Sequence, residues 1–171
     1  FSRQKDGVIG VDVVDEILEA CDKNLTLADK SNAWFKREYV SLKKGNALSL
    51  PVEDNSIDVA AQNCLFNIFT TEDLKKALAE MYRVLKPHGR LVLSDPITQN
   101  PMPENLRKDE RLRALCLSGS LAMQDYLKLI TDAGFGTVEV RAKRPYRILA
   151  PGHYDTPELI FLDSIEVCAI K

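Results

Sequence analysis

Residues 56–67 read Ser-Ile-Asp-Val-Ala-Ala-Gln-Asn-Cys-Leu-Phe-Asn, and this stretch decides the fold. Its apolar run is short and almost uninterrupted, which is typical of a parallel β-strand that is covered on both faces. We therefore predict a buried strand from Ile57 to about Gln62, and this strand runs into a polar turn.

The polar turn after this strand is a candidate ligand site. In open α/β sheets, ligands bind outside the carboxyl ends of the strands, so Asn63, Cys64 and Asn67 would stand at a ligand crevice. A thiol between two carboxamides can bind a soft atom and surround it with polar groups. The other interpretation is that Cys64 is a small buried hydrophobic residue, which is the commonest role of a free cysteine. The stretch alone leaves both interpretations open.

Length and composition predict a single cytoplasmic globular domain. The chain has 171 residues, of which 45% are hydrophobic and 28% are charged, as in ordinary globular proteins. The formal net charge is −2, so the chain has no basic surplus for binding nucleic acid or an anionic membrane. No apolar run approaches the roughly 20 residues that span a bilayer. The four cysteines are far apart and form no CxxC pair, which predicts reduced thiols.

The first strand predicted along the chain, residues 7–12, ends in an acid just before a helix predicted over residues 13–30. Apolar residues in this helix recur at helical spacing and form one face. An acid at the end of such a strand is where nucleotide-binding folds hold a ribose, because a carboxylate accepts two hydroxyl hydrogen bonds. The alternative role for Asp12 is that of a helix N-cap, which also favours Asp.

A turn with a candidate binding residue follows the second predicted strand. Residues 39–43 read as an edge strand, and residues 45–48, Gly-Asn-Ala-Leu, form the turn. Asn46 could bond the edge of a purine ring, because its carboxamide both donates and accepts. Turn chemistry suits Asn equally well, so both roles stay open.

The middle of the chain alternates helix and strand. Residues 71–85 carry an apolar stripe at helical spacing, with Thr70 and Asp73 as a capping pair, and residues 90–95 read as a further buried strand. Alternating strands and helices predict an α/β fold with a doubly wound parallel sheet.

A second candidate thiol lies in the last part of the chain. Residues 96–103 hold three prolines and are predicted as a loop, and residues 104–116 are predicted as one charged helix. Cys116 would then lie at the end of this helix, beside a flexible Ser-Gly-Ser segment at residues 118–120.

The C-terminal residues are predicted to close the sheet. A helix over residues 123–133 ends at Gly134, and residues 137–144 and 159–170 read as two strands that form an antiparallel pair. Cys168 lies inside the last strand, and Cys21 lies on the apolar face of the first helix, so we predict that both only pack in the core.

Three motifs together resemble the class I S-adenosylmethionine-dependent methyltransferases. They are Val-Ile-Gly-Val-Asp at residues 8–12, the segment 45–58 with its Gly-Asn-Ala and Leu-Pro-Val-Glu-Asp-Asn-Ser-Ile-Asp, and Tyr-Arg-Val-Leu-Lys-Pro-His-Gly-Arg-Leu at residues 82–91. Within that superfamily the chain looks most like the arsenite methyltransferases. This narrower resemblance is carried by Asn-Cys-Leu-Phe-Asn at residues 63–67 and Leu-Cys-Leu-Ser-Gly-Ser-Leu at residues 115–121.

The resemblance implies a Rossmann-like methyltransferase sheet that is mostly parallel, with an antiparallel C-terminal strand. It also implies S-adenosylmethionine as the cofactor, which leaves as S-adenosylhomocysteine. Asp12 would hold the ribose, and Asn63 would line the cleft between cofactor and acceptor. Asn46 would bind the adenine side, with Ala47 adjacent.

The same resemblance implies the acceptor. Cys64 and Cys116 fall where the arsenite methyltransferases place two of their arsenic-binding cysteines, and thiolates bind trivalent arsenic well because it is soft. The implied partners are arsenite or thiol-conjugated arsenic, together with a thiol reductant.

The chain departs from the family pattern before Asp12. The glycine-rich loop that cradles the methionine part of the cofactor, and the strand that leads into it, should precede Asp12 and are absent, as is a further family cysteine near that loop. We therefore expect an N-terminally incomplete methyltransferase domain over residues 1–171, whose sheet lacks its first central strand. Residues 1–95 would form the cofactor-binding part, and residues 96–171 the acceptor-side helices and closing strands.

Two other functions remain open from the sequence. The chain could methylate a small organic acceptor, as the related quinone and sterol methyltransferases do, with both cysteines only packing. It could also be a non-catalytic module that binds a metalloid or a thiol on a methyltransferase scaffold.

Overall fold

The computed structural model describes residues 2–171, which form two compact units divided between Val52 and Glu53. The division predicted at residue 95 falls inside a strand, and the different roles of its two parts stay a prediction. The first unit contains β1 (Val8–Asp12), α1 (Asp15–Ser31) and β2 (Val40–Lys44).

The first unit is a two-stranded parallel sheet with one helix. β1 and β2 pair from Val8 opposite Val40 to Asp12 opposite Lys44, so Asp12 lies at the carboxyl end of its strand, as predicted. The apolar face predicted for α1 is only partly covered, because none of its residues is buried. Cys21 is accordingly half-buried rather than a core residue.

The second unit is built on a four-stranded sheet. Its elements are β3 (Ile57–Asn63), α2 (Thr71–Val84), β4 (Leu85–Thr98), α3 (Glu104–Arg107), α4 (Glu110–Ala114), α5 (Met123–Asp132), β5 (Thr137–Leu149) and β6 (Ile160–Ile170). The strand order is β3-β4-β6-β5, with β3 parallel to β4 and β6 antiparallel to both of its neighbours. The prediction of a mostly parallel sheet with an antiparallel C-terminal strand is therefore confirmed.

The strands of residues 2–171 form two sheets rather than one. Within this part of the chain, β1 pairs with β2 alone and β3 pairs with β4 alone. The Asp12 strand and the Asn63 strand thus belong to different sheets, and the missing central strand stays a prediction.

Helix α2 supplies much of the core of the second unit. Thr70 caps its N-terminus, because the hydroxyl oxygen accepts a hydrogen bond of 3.2 Å from the Asp73 amide. Leu74, Ala77, Leu78 and Met81 of the predicted apolar stripe are buried. Leu85, just after the helix, is buried as well, whereas Tyr82 is half-buried. Both predictions for this helix are confirmed, although the chain leaves the helix at Val84 rather than at residue 85.

One face of β3 is open, which contradicts the prediction that both faces are covered. Ala60 is buried at 8% exposure, whereas the neighbouring Val59 is 54% exposed. Val92 on β4 is 42% exposed as well. The prediction failed because an unbroken apolar run looks the same whether one or both faces of its strand are covered.

Two predictions for residues 96–116 are wrong in detail. β4 continues to Thr98 with Ile97 fully buried, so the loop begins later than the three prolines suggested. The predicted single helix is two short helices, because the Asp109 carboxylate accepts hydrogen bonds from the Arg111 and Leu112 amides and starts α4 anew. These segments bury a separate apolar cluster of Met102, Leu106, Leu112, Leu117, Leu149 and Leu162.

A carboxyl group lies inside this unit, near the end of β4. Asp95 is 0% exposed, and its Oδ2 accepts a hydrogen bond of 2.6 Å from the Tyr126 hydroxyl and another from the Gln62 amide. Burial raises the pKa of Asp95 to about 6, and the bonds from Tyr126, Gln62 and the Phe66 amide oppose this rise. Burial therefore destabilises the ionised carboxylate more than these hydrogen bonds stabilise it.

The raised pKa predicts a pH-dependent effect of Asp95→Asn. The carboxyl is neutral below its ordinary pKa of 3.8, and wild type loses stability as the pH rises through about 6. Between pH 4 and pH 8 the variant should gain about 3 kcal/mol of unfolding free energy relative to wild type, from a shift of about two pKa units. Urea unfolding at several pH values measures this gain. Asp58→Asn, at an exposed carboxylate paired with Lys86, should show little change, and a pH-independent difference at Asp95 would contradict the burial argument.

Candidate functional site

Cys64 lies directly after the carboxyl end of β3, in a tight turn. Its amide donates a hydrogen bond of 2.8 Å to the Ser94 carbonyl, which keeps the turn against the end of β4. The Gln62 side chain accepts a hydrogen bond of 2.9 Å from the Leu65 amide while its own amide group donates to Asp95. The buried carboxyl and the Cys64 turn are thus joined through Gln62.

Cys116 lies in the turn that ends α4. The Cys116 amide donates to the Arg113 carbonyl at 2.9 Å, and the Leu117 amide donates to the Leu112 carbonyl at 2.8 Å. This pair of bonds is a Schellman motif, in which Cys116 takes the position that glycine usually occupies. The prediction that Cys116 stands at a helix end is confirmed.

Both cysteines have left-handed backbone conformations. Cys64 has φ of +60° and Cys116 has φ of +58°, and they are two of the five non-glycine residues with positive φ in residues 2–171. Such a conformation costs an L-residue about 1–2 kcal/mol. Backbone strain of this kind clusters at functional sites, where the surrounding structure holds it in place.

The two thiols lie close enough to influence each other, because each is among the groups that shift the pKa of the other. The loops that carry them pack together, since the Asn67 amide donates a hydrogen bond to the Ser120 hydroxyl. Burial is nevertheless the largest influence on each group and raises both pKa values, and the negative charge of Asp95 adds to the rise. Both groups are therefore neutral thiols near pH 7.

This pair can bind one soft atom through two sulfurs. Thiols give up their protons when they bind a soft, thiophilic centre, and two thiols in contact can bind the same atom. Among residues 2–171 there is no group of three or more His, Cys, Asp or Glu side chains that could hold a metal ion.

Asn67 and the Ser-Gly-Ser segment differ from the predictions. Asn67 was expected at the ligand crevice, but it is 1% exposed and its amide donates to the Pro96 carbonyl and the Ser120 hydroxyl. The segment was expected to be flexible, but Ser118 and Ser120 are each 1% exposed. An amide next to a glycine-containing loop looks the same in sequence whether it binds a ligand or another loop.

The sequence reasoning missed Asp95, Gln62 and Tyr126. Asp95 is an acid near the carboxyl end of a predicted buried strand, which is the signal that singled out Asp12. Gln62 and Tyr126 carry no such signal, because their roles arise only from contact with Asp95.

Three of the predicted cofactor-binding residues lie in the first unit. The half-buried Asp12 accepts a hydrogen bond of 2.9 Å from the Val14 amide through Oδ1, a local turn bond. Asn46 Oδ1 accepts a hydrogen bond of 2.9 Å from the Leu48 amide, so it makes the turn contact that the sequence allowed. Ala47 is half-buried in the same turn.

The fourth predicted cofactor-binding residue, Asn63, lies in the second unit on the open face of the sheet. It lines a cleft of about 530 Å³ together with Cys168 of β6. Cys168 is half-buried rather than a full core residue.

No helix within residues 2–171 is long and apolar enough to cross a membrane.

The chain is similar to known methyltransferases. Residues 2–134 match the family model described as a methyltransferase domain. The arsenite methyltransferase of Halobacterium salinarum is 30% identical over 136 residues, which are 80% of this chain and 32% of that protein. The demethylmenaquinone methyltransferase of Paenarthrobacter aurescens is 37% identical over 109 residues, which are 62% of this chain and 39% of that protein.

A solved structure shows the same fold. The arsenic(III) S-adenosylmethionine methyltransferase of Chlamydomonas reinhardtii superposes with a TM-score of 0.83 and is 26% identical, and the match covers 96% of this chain and 55% of that one. The chain thus spans between about a third and a little over half of these relatives. It belongs to the methyltransferase domain family and has the fold of the class I S-adenosylmethionine-dependent enzymes.

Proposed function

We propose that this chain is the methyl-transferring domain of an S-adenosylmethionine-dependent arsenite methyltransferase. Cys64 and Cys116 hold the trivalent arsenic. The observation that carries the proposal is that two loops far apart in sequence pack together, through the Asn67–Ser120 hydrogen bond and the close approach of Gly119 to Asn67, and bring the two thiols close enough to influence each other. The similarity to two arsenic methyltransferases supports the same substrate.

The binding of arsenous acid to the two thiols needs no external acid or base. Two As–S bonds form and two As–O bonds of arsenous acid break, and each thiol proton leaves with a hydroxide as water. Arsenic stays trivalent and keeps its lone pair.

Methyl transfer then requires positioning above all. S-adenosylmethionine, when bound, supplies a methyl group activated by its positively charged sulfur. The thiols fix the arsenic atom so that its lone pair can face that methyl group, and such orientation contributes on the order of 7–11 kcal/mol. Transfer to the lone pair oxidises arsenic, so a thiol reductant is part of the proposal.

The residues of the first unit fit parts of the cofactor. Asp12 stands at the carboxyl end of β1, and its local bond to Val14 leaves acceptor capacity for ribose hydroxyls. Asn46 uses Oδ1 in its turn, so it would offer its amide nitrogen as a donor to the adenine ring. Ala47 lies beside it. Asn63 of the second unit keeps its predicted role, in which it would line the cleft between cofactor and acceptor.

A small organic acceptor is the second candidate. The 37% identity to a demethylmenaquinone methyltransferase favours it. In that case both cysteines only pack, and S-adenosylhomocysteine binds while arsenite does not. The opposite result, arsenite binding without S-adenosylhomocysteine binding, would favour a non-catalytic metalloid-binding module.

The thiol pair predicts the effect of removing either sulfur. Cys64→Ser and Cys116→Ser should each weaken arsenite binding on the order of a hundredfold, because a single thiol loses the advantage of binding the same atom twice. Equilibrium dialysis with elemental detection of arsenic measures the affinity. Cys168→Ala is the matched control and should bind as wild type does, whereas loss of binding there would contradict the assignment of arsenic to Cys64 and Cys116.

The ribose role predicts the effect of changing Asp12. Asp12→Ala should weaken S-adenosylhomocysteine binding by about tenfold or more, which corresponds to one charge-assisted hydrogen bond, as calorimetry can measure. Asp12→Asn retains an acceptor for the Val14 amide but has no charge, so it should also bind weakly. Asp15→Ala, which removes only the exposed pair with Lys44, is the control. Full affinity of Asp12→Asn would assign the residue to the turn instead.

A further inference from the structure

We propose that Asn67 is the positioning residue of the thiol pair: its buried amide fastens the Cys116 loop to the Cys64 turn, so that the two thiols act as one chelating site. This inference rests on the proposed function, because it names what makes that site bidentate. Asn67 touches no substrate, and it acts through the loops that carry the two sulfurs.

The contacts of the Asn67 side chain join three segments. Its Nδ2 donates a hydrogen bond of 2.7 Å to the Pro96 carbonyl of β4 and one of 3.3 Å to the Ser120 hydroxyl. Asn67 itself follows Cys64 in the same turn, and Ser120 follows Cys116 in the same loop. A single amide group at 1% exposure therefore ties both thiol-bearing segments to the end of β4.

Gly119 shows how closely the loop approaches Asn67. A Cβ atom built on Gly119 would lie 2.1 Å from the carbonyl oxygen and 2.7 Å from the carbonyl carbon of Asn67. These are backbone atoms, which cannot rotate away as a side chain can. The absence of a side chain at residue 119 is thus a condition for the loop to lie against the Cys64 turn.

A second tie reinforces the same junction from the surface. The Arg113 guanidinium donates to the Ile68 carbonyl at 3.0 Å and to the Arg107 carbonyl at 3.2 Å. Arg113 belongs to the helix that ends at the Cys116 turn, and Ile68 belongs to the turn after Cys64. The Arg113 side chain is 28% exposed, so its hydrogen bonds compete with water more than those of Asn67 do.

Two thiols chelate one atom only if their spacing is kept. When one sulfur has bound, the second is present at an effective concentration set by how tightly the two loops are held together. Loosening the junction lets each thiol bind separately, although each retains its own reactivity. Asn67 thereby controls the affinity of the pair without changing either sulfur.

The competing explanation is that Asn67 only satisfies buried polar groups and stabilises the fold. Loss of a buried amide would then lower the unfolding midpoint and leave chelation unchanged in the folded protein. The two explanations differ in binding measured well below the unfolding midpoint, and in whether both thiols are occupied by the same probe.

The experiment uses phenylarsine oxide, an arsenical that binds two close thiols, on the full chain. Asn67→Ala removes the amide, and Gly119→Ala pushes the loop away while Asn67 keeps its side chain. Gly136→Ala, at a position with nothing within 4 Å of the added Cβ, is the matched glycine control. Asn105→Ala, which removes an exposed Asn bonded to Asp155, is the asparagine control.

The readouts are the affinity for the probe and the protection of each cysteine from N-ethylmaleimide, measured by peptide mass spectrometry. In wild type one probe molecule should protect Cys64 and Cys116 together, with Cys21 and Cys168 as internal references. Asn67→Ala and Gly119→Ala should bind at least tenfold more weakly and lose the joint protection. Without the probe, both thiols should still alkylate. The controls should behave as wild type does.

Each other outcome has a distinct meaning. Unchanged affinity and joint protection in a variant with a lowered unfolding midpoint would overturn the positioning role, and so would failure of both variants to fold. Absence of joint protection in wild type would instead refute the proposed arsenic site. If only Asn67→Ala fails to fold, Gly119→Ala decides the question.

Discussion

The junction at the carboxyl ends of β3 and β4 is the constraint on which the candidate site depends. The Cys64 amide donates a hydrogen bond to the Ser94 carbonyl of β4. Asp95, which follows Ser94 in β4, is buried and accepts hydrogen bonds from Tyr126 of α5 and Gln62 of β3. Parallel pairing of the two strands brings these groups to one edge. The core beneath this edge is buried, so the edge cannot shift without disturbing the sheet.

Several groups whose burial or backbone conformation lowers the stability of the fold lie together at this edge. Asp95 is a buried carboxyl whose pKa is raised to about 6, and two cysteines hold left-handed backbone conformations. The buried hydroxyl of Ser118 has no hydrogen-bond partner within the part of the chain that the structure describes. A fold selected for stability alone would avoid such a cluster, and sites of function are where local rules are broken and the cost is offset elsewhere.

The sequence predicted what depends on local pattern, and missed what depends on long-range contact. The cap at Thr70, the stripe of α2 and the antiparallel closing strand follow from spacing and residue type, so they were predicted correctly. The open face of β3 and the burial of Asn67 depend on which segments pack nearby, which no local pattern encodes. The proximity of the two thiols is of the second kind, because nothing in the spacing of Cys64 and Cys116 requires their loops to pack together.

The backbone at the two cysteines bears on the choice between a chemical role and a packing role. Packing needs a small apolar side chain, and it does not require a left-handed conformation at either position. Turn geometry needs the left-handed conformation, and glycine would provide it at lower cost than cysteine at both Cys64 and Cys116. Neither requirement alone explains a cysteine at both turns. A need for two sulfurs at this spacing explains both positions at once, which favours a soft acceptor over an organic one.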